Sequence, residues 1–134
     1  MFRGVSIAAT SIAATAAFAA TPPRAVRIGL NGSDLDACPS QGAVNGLNPR
    51  GDAYLSVRAG PGTDAAERGR LRAGHLVNIC EETVDGRWLG IVYTRSPALD
   101  RDCGTGSPAP RPSVYRGPCL SGWVAARYVR VVAG

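Results

Sequence analysis

From Gly42 onward, apolar residues recur at alternate positions in short runs bounded by turn residues, the period of half-buried β-strands. "AVNGL" runs into the turn Asn48-Pro49-Arg50-Gly51. "AYLSVR" sets Tyr54, Ser56 and Arg58 on one face and Leu55 and Val57 on the other. "HLVNIC" places Val77 and Ile79 together, and "RWLGIVYT" follows the turn Val84-Asp85-Gly86. "LSGWVA" and "YVRVV" complete the series. No stretch sustains a helical period. Asp64 to Leu71 comes nearest, but Gly69 interrupts it and Gly74 follows, each costing about 1 kcal/mol relative to alanine in a helix. Five or six short antiparallel strands in about 90 residues predict an all-β fold, a small barrel or sandwich.

Three segments lie outside this rhythm. "MFRGVSIAATSIAATAAFAA" carries one charge, Arg3, and then only small, hydroxyl and apolar residues. Ala17 and Ala19 flank Phe18 at the two positions a signal peptidase reads, and "TPPR" then stops any helix. Residues 1–19 are therefore expected to be a signal peptide, cleaved before Ala20. The apolar run is shorter than the roughly 20 residues of a bilayer span and rich in alanine, so no stable membrane insertion is expected after cleavage. Residues 20–41 show no periodicity and are expected to form an N-terminal tail held at Cys38, with the barrel occupying 42–134. Finally, residues 96–119 hold five of the ten prolines and separate two runs that otherwise match as hairpin partners. Hairpin loops usually have about 2–5 residues, so this Pro-rich insertion must be either disordered or pinned.

An exported chain changes how the cysteines read. Cys38, Cys80, Cys103 and Cys119 are even in number and include no C-x₂₋₄-C pair, which argues against zinc and for two disulfides. Four cysteines allow three connectivities. Removing Arg3 with the leader leaves 14 of 15 basic residues against 10 acids, a net +4, and all the basic residues are arginine. That mild charge would suit anionic partners such as wall polymers, though ordinary solubility explains it better. It gives no reason to expect nucleic acid.

Gly60, Gly62 and Ala65 fit the G-x-G-x-x-A pattern of a dinucleotide turn. Pro61 removes a backbone N–H that a phosphate cradle needs, no helix with a credible N-terminus follows, and no second βαβ unit remains. The match is accidental, and no cofactor is expected.

The ordered set Leu55-Ser56-Val57-Arg58-Ala59-Gly60-Pro61, Gly86-Arg87-Trp88, Gly122-Trp123-Val124 and Tyr128-Val129 resembles the bacterial SH3 (SH3b) family over about residues 42 to 134. The resemblance implies a small SH3-like barrel of five to six short antiparallel strands, here carrying a long Pro-rich hairpin insertion at 96–119. Leu55, Val57, Val77, Ile79, Leu89 or Ile91, Val124 and Val129 would fill its interior. It also implies a ligand groove at Trp88 and Tyr128, flanked by Trp123, with Tyr54 and Arg58 lining the other side. Ala125 stands where the groove proline of peptide-binding SH3 domains would be, which turns the expected ligand away from proline-rich peptides. In the implied meander, the strand Trp88–Tyr93 lies between the strand ending at Cys80 and the one beginning after Cys119. Those two cysteines would then lie most of a strand apart, about 16 Å, against the roughly 4.4–6.8 Å between bridged Cα atoms. Cys80–Cys119 is thereby excluded. Cys103–Cys119 with Cys38–Cys80 is favoured, and Cys80–Cys103 with Cys38–Cys119 stays open.

Catalytic readings find little support in the residues. His75 is the lone histidine and follows Gly74 at a turn. A Cys–His pair would need a cysteine left free. There is no G-x-S-x-G elbow, and the acid pairs Glu81-Glu82 and Asp100/Asp102 read as solvated loop charge. The expectation is a non-enzymatic, periplasmic or secreted binding module that recognises a peptidoglycan peptide or a periplasmic or envelope protein. The alternative is an accessory protein that packs on one dedicated partner through residues 96–119.

Overall fold

A computed structural model describes residues 2–14 and 20–134. The cleavage motif at Ala17–Ala19 lies outside the described residues. Residues 2–14 carry no regular secondary structure and are solvent-exposed, Phe2, Val5, Ile7 and Ile12 included. No helix among the described residues is long and apolar enough to cross a membrane.

The fold is all-β. Its strands are β1 Arg27–Ile28, β2 Ser40–Val44, β3 Leu55–Arg58, β4 Glu67–Leu71, β5 Leu76–Glu82, β6 Trp88–Tyr93, β7 Ser113–Val114, β8 Leu120–Ala125 and β9 Val129–Ala133. A 3₁₀ turn, Ala126–Tyr128, precedes β9. Seven strands form one antiparallel sheet in the order β4-β3-β8-β6-β5-β2-β9, and β1 and β7 form a separate two-stranded ribbon. The sheet ends at β4 and β9, which do not pair with each other, so it is not a closed barrel. The expectation of five to six strands was low because β4, "ERGRL", shows no apolar alternation. Only Leu71 of that strand is buried. The charged side chains suit its place at the sheet edge, where they discourage pairing with another chain.

The sheet is covered on both faces. One cluster gathers Leu55, Val57, Val77, Leu89, Ile91 and Val124 with their neighbours, as the alternation predicts, with Ile79 and Val129 packed at its margin. A second cluster on the other face joins Val26, Val92, Tyr115 and Trp123 to the cysteines. Strand β6 serves both clusters, Leu89 and Ile91 on one side and Val92 on the other. That is why "WLGIVY" reads as a nearly continuous apolar run rather than an alternating one.

The second cluster corrects the view of residues 20–41 as a tail. Val26 is buried, Arg27 and Ile28 pair with Val114 and Ser113, and Asp36 bridges to Pro108. The segment and the 96–119 insertion together form a second layer over the sheet. The insertion is pinned rather than loose. Cys103–Cys119 closes its base, and the buried Tyr115 hydroxyl donates to the Cys103 carbonyl at 2.8 Å and accepts from the Cys119 N–H. The other disulfide is Cys38–Cys80. The favoured connectivity is the one formed, and the register explains it. Cys119 precedes the Tyr93 end of β6, where Tyr93 faces Leu120. The strand pair β5–β6 sets Glu82, just after Cys80, opposite Leu89 near the other end.

Cys80 sits at a register shift between Ile79 and Glu81. A bulge sets two residues against one and breaks the strict alternation of faces. Cys80 and Glu81 therefore both engage the N-terminal segment. The first bonds Cys38, and the second accepts from the Arg24 guanidinium at 2.6 Å and the Arg27 N–H at 3.0 Å.

Candidate functional site

The hairpin between β5 and β6 is built around Thr83 and Asp85. The Gly86 N–H donates to the Thr83 carbonyl, and Gly86 takes φ +71°, a conformation open to glycine. The Thr83 hydroxyl donates to Asp85 Oδ1 at 2.6 Å and accepts from the Trp88 N–H at 3.1 Å. The Arg87 N–H donates to the same Asp85 oxygen at 3.0 Å. These bonds, the Thr83 hydroxyl first and the Arg87 N–H next, hold the Asp85 carboxyl below its ordinary range. The turn thus fixes the directions of Arg87 and Trp88.

Trp88 packs one side of its indole on the second cluster and leaves the rest at a cleft of about 710 Å³. Ala125, Ala126 and Thr63 of the glycine-rich loop line the same cleft, with the exposed Arg87 and Arg127. Arg127 reaches this position because the 3₁₀ turn follows directly on β8, whose Ala125 faces Trp88. The result is a half-exposed aromatic beside two exposed arginines that have no carboxylate partner among the described residues.

Of the five predicted ligand residues, only Trp88 lines this cleft. Trp123 is a correction: it is fully buried in the second cluster, and its indole N–H donates to the Arg24 carbonyl at 2.7 Å, so it cannot flank a groove. Its place in β8 puts it on the face that the N-terminal segment covers. Tyr128 is half-buried against the first cluster, with the Arg127 guanidinium 4.8 Å from its ring centre. Tyr54 lies beside β4, with Arg70 stacked 4.1 Å over its ring. Arg58 turns its guanidinium to the Ala65 carbonyl at 2.9 Å and braces the glycine loop. Sequence reasoning missed Arg87, Arg127 and Thr63. The first two adjoin the singled-out aromatics, but nothing in their spacing shows that a turn and a 3₁₀ segment bring them to one rim.

The glycine loop has a structural explanation. A Cβ at Gly60 would run into the Pro22 carbonyl, and one at Gly62 would run into the Thr21 side chain. The loop is bare so that the N-terminal segment can cross it. Thr21 donates both its N–H and its hydroxyl to Asp64. His75 is buried and donates from Nε2 to the Thr94 carbonyl at 2.9 Å, while all four cysteines are bonded in pairs. No family model, no curated protein and no solved structure matches the chain.

Proposed function

We propose that this protein is an exported, non-catalytic binding module of SH3b type that recognises a cell-wall peptide or a protein of the periplasm. Two disulfides point to an oxidising compartment, and with the leader-like first nineteen residues this favours the periplasm or the exterior. The observation that carries the binding reading is the Trp88 cleft. A half-exposed indole with Arg87 and Arg127 lining the same cleft offers stacking area and two cationic donors, the pairing that suits a ligand with a carboxylate beside an apolar or amide body. Stem peptides of the wall have that composition, as do protein C-termini. The cleft lining holds no histidine, cysteine or carboxylate, which favours recognition over chemistry.

Packing on a dedicated partner through 96–119 is the weaker reading. The insertion turns Tyr115 and Cys103 inward, and most of what it leaves outside is Arg, Pro, Gly and Ser. The test is co-sedimentation of the protein with purified peptidoglycan and, separately, capture from an envelope lysate. Trp88→Ala and Arg87→Gln should weaken retention on one of these materials about tenfold. Retention that persists unchanged in both variants would remove the cleft from the account.

A further inference from the structure

Strand β6 carries Trp88 at one end and Tyr93 at the other, about 17 Å apart at strand rise. A second cavity, of about 690 Å³, opens at the Tyr93 end. It lies between β4, the start of β8 and the segment that follows β6. Tyr93 is 5 % exposed, yet its hydroxyl makes no hydrogen bond to another described residue. The ring is buried, while the hydroxyl oxygen stays open to the cavity, free to donate to a ligand or to water. Gly69 allows it to get there, because a Cβ at that position would sit 2.9 Å from the hydroxyl oxygen. His75 steadies the ring edge-on, with centroids 6.2 Å apart, and is itself anchored on the Thr94 carbonyl.

The surrounding charge has one sign. Arg68, Arg70 and Arg95 line the cavity. Arg70 is taken up by Glu67 at 2.6 Å and by the Tyr54 ring. Arg68 and Arg95 are exposed and have no carboxylate partner among the described residues, and both lie close enough to act on the Tyr93 phenol. Burial nevertheless pushes the phenol above its ordinary value, against the pull of the two arginines, so the hydroxyl keeps its proton at neutral pH and remains a donor.

We propose that this cavity is a phosphoryl-binding site, with Arg68, Arg95 and the Tyr93 hydroxyl as its donors. The three residues come from β4, β6 and the segment after β6, so the cavity is lined by donors on different elements. A tetrahedral phosphate presents oxygens in that many directions, whereas a carboxylate presents two in one plane. The cavity exceeds the size of a bare ion, so the phosphoryl group of a larger ester fits as well as free phosphate. The site is independent of the Trp88 cleft, and either can fail without the other.

The test titrates the full chain at pH 7 and constant ionic strength, followed by amide NMR, with inorganic phosphate, glycerol 3-phosphate and acetate in separate arms. Saturable shifts at Tyr93–Arg95 and Arg68–Arg70 are expected with both phosphates, and only linear drift with acetate. The tighter of the two phosphates distinguishes a free-ion site from an ester site. Tyr93→Phe, which deletes one oxygen, and Arg95→Gln should each weaken binding about tenfold, while Arg127→Gln at the other cleft should leave it unchanged. Arg95 is exposed, so its variant carries the test should Tyr93→Phe disturb the fold. No saturation with either phosphate, equal binding of acetate, or affinity unchanged in Arg95→Gln would overturn the proposal.

Discussion

The indole N–H of Trp123 donates to the main-chain carbonyl of Arg24 across 99 positions of sequence. The Arg24 guanidinium lies 4.9 Å from the centre of the same indole and 2.6 Å from the Glu81 carboxylate. One residue of the N-terminal segment therefore closes the second face of the sheet by a hydrogen bond, a stacked cation and an ion pair. The segment belongs to the fold, because without it a fully buried tryptophan and a buried glutamate would meet water.

This arrangement sets a first prediction. Arg24→Ala removes the stacked cation and leaves the Glu81 carboxylate with only the Arg27 N–H. The loss should be about 1–3 kcal/mol, since half of the arginine side chain is exposed and part of the pairing is screened. Arg24→Lys should recover the charge but not the planar stacking, and should fall between the two. Urea midpoints of the three proteins check the order.

The disulfides differ in the loops they close. Cys38–Cys80 spans 42 positions and Cys103–Cys119 spans 16. In the chain-entropy model these are worth about 4 and about 3 kcal/mol. Replacing the first pair by serine should therefore lower the melting temperature more than replacing the second, and should also release the N-terminal segment from β5. Peptide mapping without reductant should recover only these two linked pairs.

The strands that alternate were legible in the sequence, and so was the pairing of β6 with β8 across the insertion. Leu55, Val57, Val77, Leu89, Ile91 and Val124 lie inside as their spacing indicates. What was not legible depends on contacts between distant segments. Val26 and Trp123 are core because they meet each other's neighbourhood, and residues 20–41 have no period because they pack as a second layer, mostly by turns and single bonds. Strand β4 was invisible because an edge strand of charged residues has no inner face to mark it. Trp88, beside a Gly-containing turn, is the one of the five expected ligand residues that lines the cleft. The Arg87 and Arg127 rim needed the turn and the 3₁₀ segment to be folded.

The close passage of the N-terminal segment over the glycine loop gives a paired test. Gly60→Ala is accessible to the backbone, since its φ does not lie in the left-handed region, but its methyl would strike the Pro22 carbonyl. In the full chain the substitution should destabilise by about 1–3 kcal/mol, the usual cost of overpacking. In a chain that begins at Arg24 the obstacle is gone, and the same substitution should be neutral or slightly stabilising through the unfolded state. Equal effects in both chains would mean that the segment does not lie on the loop.

The contact between Thr21 and Asp64 should be sensitive to acid, with a sign that follows from the hydrogen bonds. The Thr21 hydroxyl, followed by its N–H, holds the Asp64 carboxyl below its ordinary 3.8 in the folded chain. A depressed folded value means that the unfolded chain binds the proton more readily. The contribution is therefore complete above about pH 5 and is lost as pH falls from 3.8 through the folded value. Glu67, held low by Arg70 and Ser56, and Asp85, held low by Thr83, titrate in the same region. A global melt would mix the three, so the Asp64 carboxyl carbon should be followed by NMR. Thr21→Val removes the largest cause and should raise the Asp64 midpoint toward 3.8. Removal of the leader ahead of Ala20 would place a new ammonium one residue from Thr21 and should move it further down. A midpoint that stays the same in Thr21→Val would show that the segment leaves the loop in solution.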